Sequence, residues 1–194
     1  VNHSGRTPEP TPMPTILDIE FDNNNCNPRC YYVSPDTSYP QCINVTIKEF
    51  ENIVNSSESG GAIYIIDSGL QVVDTVFTSC GSSVGGGGAI YIKNNMLVEN
   101  NIIIENTEFS NCSSYYGGAV YVYSVSEYDN ILIRNCKFDS NFLLSGENKD
   151  NLQGGSAVYL QTRNGDISNC SFTRNKGKGG SMKITENFED TPLT

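Results

Sequence analysis

Cleaving a glycosidic bond takes two carboxylates held across it, and acids for that role stand at Asp67, Asp74, Glu105, Glu127, Asp129 and Asp139. Their spacing does not pair them. Only Asp74 recurs at an equivalent position of an internal repeat, and its counterparts are Asn106, Asn135 and Asn169, which marks a structural column. A lyase would set an arginine base beside an acidic calcium site, yet Arg134, Arg163 and Arg174 are scattered without an acidic cluster. Nucleophilic triads need a base beside Ser or Cys, and the one histidine, His3, precedes every repeat. The run Val84-Gly85-Gly86-Gly87-Gly88 lacks the Lys-Ser/Thr of a phosphate-binding loop. No Gly-Gly-x-Gly-x-Asp calcium repeat occurs. A polysaccharide lyase or glycoside hydrolase is therefore the alternative reading, and a non-catalytic module the leading one.

The thiols divide into two groups. Cys26, Cys30 and Cys42 cluster before the repeats, where a disulfide would staple a capping turn. Zinc is the competing use of Cys26-x-x-x-Cys30, but only Cys42 offers an obvious third ligand, so neither metal nor cofactor is expected. Cys80, Cys112, Cys136 and Cys170 fall at repeat-equivalent places and read as small buried side chains. The candidate binding residues are instead Tyr64, Tyr91, Tyr121 and Tyr159, rigid amphipathic rings recurring once per repeat and suited to sugar stacking or protein contact.

What must position them is a repeated glycine-led strand. It reads Gly60-Gly61-Ala62-Ile63-Tyr64-Ile65, then Gly87 to Ile92, Gly117 to Val122, Gly155 to Leu160 and Gly179 to Ile184, at intervals of 27, 30, 38 and 24 residues. Such periods signal a repeat array whose units bury their apolar faces only by stacking. A second strand comes once per repeat, closed by Phe50, Phe77, Phe109, Phe138 or Phe172, and the last glycine strand has none after it. Alternation sends Ile63, Ile90, Val120 and Val158 inward with the residues two further on, and turns the tyrosine column outward, where Lys183 also falls. The same parity places Asp74, Asn106, Asn135 and Asn169 at an inward corner, as a ladder bonded amide to amide along the axis. β-Branched content and glycine at each repeat start exclude a helical solenoid. The expectation is all-β: a parallel β-helix of about five to six coils, each of two or three strands, with an N-terminal cap.

The chain divides accordingly. Residues 1–15 form a Pro/Thr-rich linker, 16–42 a capping segment with three cysteines, 43–186 the repeats, and 187–194 a tail, with the array expected to continue beyond it. A net charge of −10 leaves no basic stripe for phosphates, so nucleic acid is not an expected partner. No apolar run approaches the roughly 18 residues that would insert this fragment directly in a membrane. Acceptor sequons for N-glycans stand at Asn2, Asn44, Asn55, Asn111 and Asn169.

With both motifs in hand, the chain resembles the polymorphic outer-membrane protein repeats of chlamydiae and similar repeats in protozoan surface proteins. That family alternates Gly-Gly-Ala-Ile with Phe-x-x-Asn. The first stands intact at 60–63 and 87–90 and as Gly-Gly-Ala-Val at 117–120; the second is intact at 138–141 and 172–175. Phe77 and Phe109 are followed instead by Cys80 and Cys112, and Phe50 by Ile53. The resemblance implies a single-stranded, right-handed parallel β-helix at the cell surface or outside the cell, part of a larger anchored protein. It implies adhesion to a host cell-surface protein or carbohydrate, with a purely structural stalk as a second alternative.

Overall fold

The computed structural model describes residues 17–21, 30–33, 41–95, 97, 99–145 and 154–185. The expected linker, the tail, Cys26 and residues 146–153 lie outside them. The described residues form a parallel β-solenoid without helix, its strands collected in sheets of six, six, five and four strands. One turn runs Ile63–Ile66, Gly69–Val73, Val76–Thr78 and Gly81–Ser82, each strand in a different sheet; the next repeats the path as Ile90–Asn94, Asn101–Glu105, Glu108–Ser110 and Ser113–Ser114. Every pairing between turns is parallel, and like residues meet: Tyr64 with Tyr91, Leu70 with Ile102, Phe77 with Phe109. The four faces are called here the tyrosine, aliphatic, phenylalanine and corner sheets.

Four turns are complete, beginning at Cys30, Ile63, Ile90 and Val120. The turn from Val158 has no corner strand and closes through a lone bridge between Phe142 and Lys176, and Met182–Thr185 opens a turn of which only this strand is described. The expected five to six coils thus become about four, because a glycine pair was counted as a whole coil. Strands per turn are four rather than two or three, since a two-residue corner strand such as Gly81–Ser82 is too short to show a period. Within the expected capping segment, Leu17–Phe21 pairs with Gln41–Val45 and Cys30–Val33 with Ile63–Ile66.

The inward columns follow from alternation. Ile63, Ile65, Ile90, Ile92, Val120, Val122, Val158 and Leu160 are fully buried, facing Leu70, Val72, Ile102, Ile104, Ile131 and Ile133 across the interior. Met182 and Ile184, in the same columns, are half-exposed because no described strand stacks on them. The glycine pair has two separate reasons. Gly60, Gly87 and Gly117 lie at φ +68°, +65° and +54°, where a β-carbon is strained. At Gly61, Gly88 and Gly118 the obstacle is space, since an added Cβ would run into the carbonyl oxygen of Gly88, Gly118 or Ser156 in the next turn.

The inward ladder expected at Asp74, Asn106, Asn135 and Asn169 is not found. All four side chains are exposed, and their φ values of 53°, 50°, 55° and 51° put them in the left-handed region. A left-handed residue turns the chain through a corner, so strand alternation does not carry across it. The inward place passes to the following residue: Thr75, Thr107 and Cys136 are buried and Cys170 half-buried.

An internal asparagine ladder does exist one corner later, three residues after Phe138 and Phe172. Asn141 Nδ2 donates to the Phe109 carbonyl at 3.0 Å, and Asn175 Nδ2 donates to that of Phe138 at 3.0 Å. Their Oδ1 atoms accept from the backbone N–H of Cys112 and Asn141, both at 2.9 Å. Cys80 and Cys112 occupy the same column and donate Sγ–H to the carbonyls of Phe50 and Phe77 at 3.6 and 3.8 Å. Asparagine and cysteine therefore interchange in this column because each has a hydrogen for the phenylalanine carbonyl of the turn before, the single thiol hydrogen being shared with the carbonyl of Thr78 or Ser110 at 3.6 Å.

Candidate binding face

The tyrosine sheet carries the outward column. Ring centroids lie 5.0 Å apart for Tyr31 and Tyr64, 5.2 Å for Tyr64 and Tyr91, 5.1 Å for Tyr91 and Tyr121, and 5.3 Å for Tyr121 and Tyr159. The planes are within 16° of parallel. Lys183 ends the column with Nζ 5.4 Å from the Tyr159 ring centroid, a cation held over an aromatic face. The four expected tyrosines are thus brought together on one half-exposed face.

Three further tyrosines belong to this face. Tyr31, 53% exposed, extends the column by one rung, although no glycine pair precedes it. Tyr123 lies two residues beyond Tyr121 on the same side, with Lys93 Nζ 5.8 Å from its centroid, so parity alone could have found it. Tyr116 comes from the connection before its strand and stands edge-on to Tyr121 and Tyr159 at 6.3 and 6.2 Å. The matching connection one turn earlier, ahead of Ile90, is glycine-rich partly for the tyrosines' sake: a Cβ at Gly86 would lie 2.8 Å from Cγ of Tyr121.

Three of the rings, Tyr91, Tyr116 and Tyr121, resist ionisation. Burial, then the neighbouring Tyr64 and Tyr123, pushes Tyr91 up to about 12, and burial pushes Tyr121 and Tyr116 upward as well. The face is therefore an uncharged, amphipathic strip edged by Lys93 and Lys183, with hydroxyls able to donate and accept. Its chemistry is stacking and hydrogen bonding.

The acids considered for catalysis are occupied, Asp74 excepted. Asp129 is buried; its Oδ1 accepts from Asn100 N at 2.9 Å and Oδ2 from Asn94 Nδ2 at 3.0 Å and Ser124 Oγ at 2.5 Å. Burial raises its pKa and those hydrogen bonds oppose the shift. Glu105 pairs with Arg134 at 3.0 Å and Glu127 with Arg163 at 3.5 Å, while Asp139 binds Arg174. Asp67 Oδ1 accepts from Asn95 N at 2.7 Å, and Asp74 is an exposed corner.

Among the cap thiols, Cys30 is disulfide-bonded and Cys42, half-buried, keeps its thiol. Cys136 is buried and its thiol is pushed up to about 12 by that burial, consistent with a hydrogen donor rather than a nucleophile. Among the described residues no three of His, Cys, Asp or Glu converge to hold a metal ion.

Fold and face together define a parallel β-solenoid with one aromatic outer strip. Comparison with protein-family models, with curated proteins and with solved structures finds no match to this chain.

Proposed function

We propose that this solenoid is a non-catalytic surface module of the polymorphic membrane protein type, which binds a protein or carbohydrate of a host cell through its tyrosine face. The continuous outward column from Tyr31 to Tyr159 carries this reading. Rigid rings pay little conformational entropy on binding and offer a flat apolar area with hydroxyl edges. A rod that repeats the same group about every 5 Å suits an extended ligand gripped at several points. The Gly-Gly-Ala-Ile and Phe-x-x-Asn motifs support display on the outside of a cell as part of a larger anchored protein.

The test is saturable binding of the purified chain to a glycan array and to host cells, with Tyr91→Ala/Tyr121→Ala alongside and circular dichroism as the control for folding. Binding that disappears in the folded double variant is the expected result. Absence of saturable binding by the native chain would replace this reading with that of a structural stalk. Turnover of an acidic polysaccharide, lost on replacing one carboxylate, would replace it with an enzyme.

A further inference from the structure

Charge is unevenly spread along the rod. The chain carries −10, yet residues 154–185 hold Arg163, Arg174, Lys176, Lys178 and Lys183 against the single acid Asp166. This last described turn is a cationic end on an otherwise strongly acidic molecule. Most of its cations have local work: Arg163 faces Glu127, Arg174 is bound to Asp139, and Lys183 lies over Tyr159. Lys176 makes no ion pair with a described residue.

Lys176 lines a cleft of about 510 Å³ together with Asn111, Ser140, Phe142, Arg174 and Asn175. The fold builds this cleft where the phenylalanine sheet turns into the corner sheet. Asn111, Ser140 and Arg174 are the left-handed residues of three successive turns, at φ 55°, 57° and 53°, so they stack as a column at the corner. Phe142 and Lys176 are bridge partners two residues further on, and Phe142 is 37% exposed. Asn175 points inward to the Phe138 carbonyl and forms the floor. Arg174 gives Nε and Nη2 to Asp139, which fixes the guanidinium and leaves Nη1 uncommitted.

We infer that this cleft is a binding site for an acidic sugar, one bearing a carboxylate or a sulfate. An exposed aromatic ring takes the apolar face of a pyranose. The Lys176 ammonium and the remaining Arg174 N–H take its anion through charge-assisted hydrogen bonds. The exposed Asn111 amide is placed for ring hydroxyls, and Ser140 Oγ, which gives its hydrogen to Asp139 Oδ2 at 3.5 Å, can accept from one. A bare inorganic anion has no use for Phe142, and a long polyanion such as nucleic acid would be repelled by the acidic remainder of the rod. An oligosaccharide short enough to stay on the last turn meets neither objection. The site is separate from the tyrosine face and does not depend on it.

Isothermal titration of the whole chain, made without N-glycans because Asn111 heads a sequon, tests this with three tetrasaccharides: heparin-derived, oligogalacturonate and neutral cellotetraose. At least one acidic sugar is expected to bind one-to-one, more weakly as salt rises, while cellotetraose does not; which of the two binds identifies sulfate or carboxylate. Lys176→Ala should weaken binding on the order of tenfold, Phe142→Ala by several-fold, and Lys178→Ala, outside the cleft, less than about twofold. Tyr91→Ala/Tyr121→Ala should leave it unchanged, which separates this site from the tyrosine reading. Failure of both acidic sugars to bind, or equal losses in Lys176→Ala and Lys178→Ala, overturns the assignment.

Discussion

Two aromatic columns run along this solenoid, and they differ mainly in the side of the wall on which they stand. Phe50, Phe77, Phe109, Phe138 and Phe172 stack at 4.8 to 5.0 Å, and the tyrosines at 5.0 to 5.3 Å. Both spacings approximate the separation of hydrogen-bonded strands, about 4.8 Å. Stacking is thus what any repeated ring must do in this fold, and by itself it says nothing about function. Exposure is the informative difference: Phe77 and Phe138 show no surface and Phe109 only 1%, with Phe172 partly exposed at the last described turn, whereas every tyrosine of the column is partly exposed and Tyr31 is 53% exposed. An inner ring is explained by the core it fills. An outer ring is only partly explained by its neighbours above and below, and the remainder is available to a ligand.

Breaking the inner column should produce the largest effect. Phe109→Ala removes a fully packed ring from between two others and should destabilise the chain by about 3–5 kcal/mol in denaturant unfolding. A loss under about 1 kcal/mol would mean that the core closes around the gap and that the inner column is not essential. Next comes Asn141→Ala, which strips the Phe109 carbonyl of its donor and the Cys112 N–H of its acceptor. About 2–3 kcal/mol is expected for these buried groups. Asn141→Cys should recover part of it, because Cys112 already makes the equivalent bond to Phe77. Equal losses in both variants would refute the donor role of this column.

The outer column was legible in the sequence, because it lies in a strand where a period of two assigns faces; the phenylalanines were visible as a recurring residue, but parity counted from Leu70 and Val72 would turn Phe77 outward, and only the corner at Asp74 brings it inside. Ile63 and Ile65 had to be inside if Tyr64 was outside. Legibility failed at corners. Asp74 and Asn106 share the parity of the buried Val72 and Ile104, yet a left-handed φ at each makes parity meaningless beyond that point. The asparagine that does bond inward, Asn141, was visible within Phe-x-x-Asn, but its acceptor is a carbonyl of another turn, found only through register. Tyr31 was missed because its strand lacks the leading glycine pair. The charged end and its cleft were hidden by averaging, since a net charge of −10 describes the whole chain and not its last turn.

Tyr91→Ala probes the outer column in the same way as Phe109→Ala probes the inner one. Two stacking contacts and a half-buried ring are lost, for an expected cost of about 1–2 kcal/mol. This must fall clearly below the Phe109→Ala value if the outer rings are kept for more than stability. A cost as large as that of the inner ring, measured by the same denaturant titration, would make the tyrosine column a second structural ladder and remove the main support for a binding face.

The smallest effect, and the one that most directly reads how open the outer column is, appears at high pH. Tyr91 ionises near 12 in the folded chain, against about 10 for an unstructured tyrosine. The native state thus favours the neutral phenol. Its contribution to stability is complete below pH 10 and is lost as the pH rises through 12, when the folded ring also ionises. Solvent screening at a half-exposed ring keeps this contribution under about 1 kcal/mol. Tyrosinate absorbance should therefore include a late phase, above the range of ordinary tyrosine, from Tyr91 and Tyr121. Tyr91→Phe should remove part of the late phase and soften the loss of stability between pH 10 and 12. A single phase centred near 10 would show the outer column to be as open as free tyrosine, so that inner and outer rings differ even more than their geometry implies.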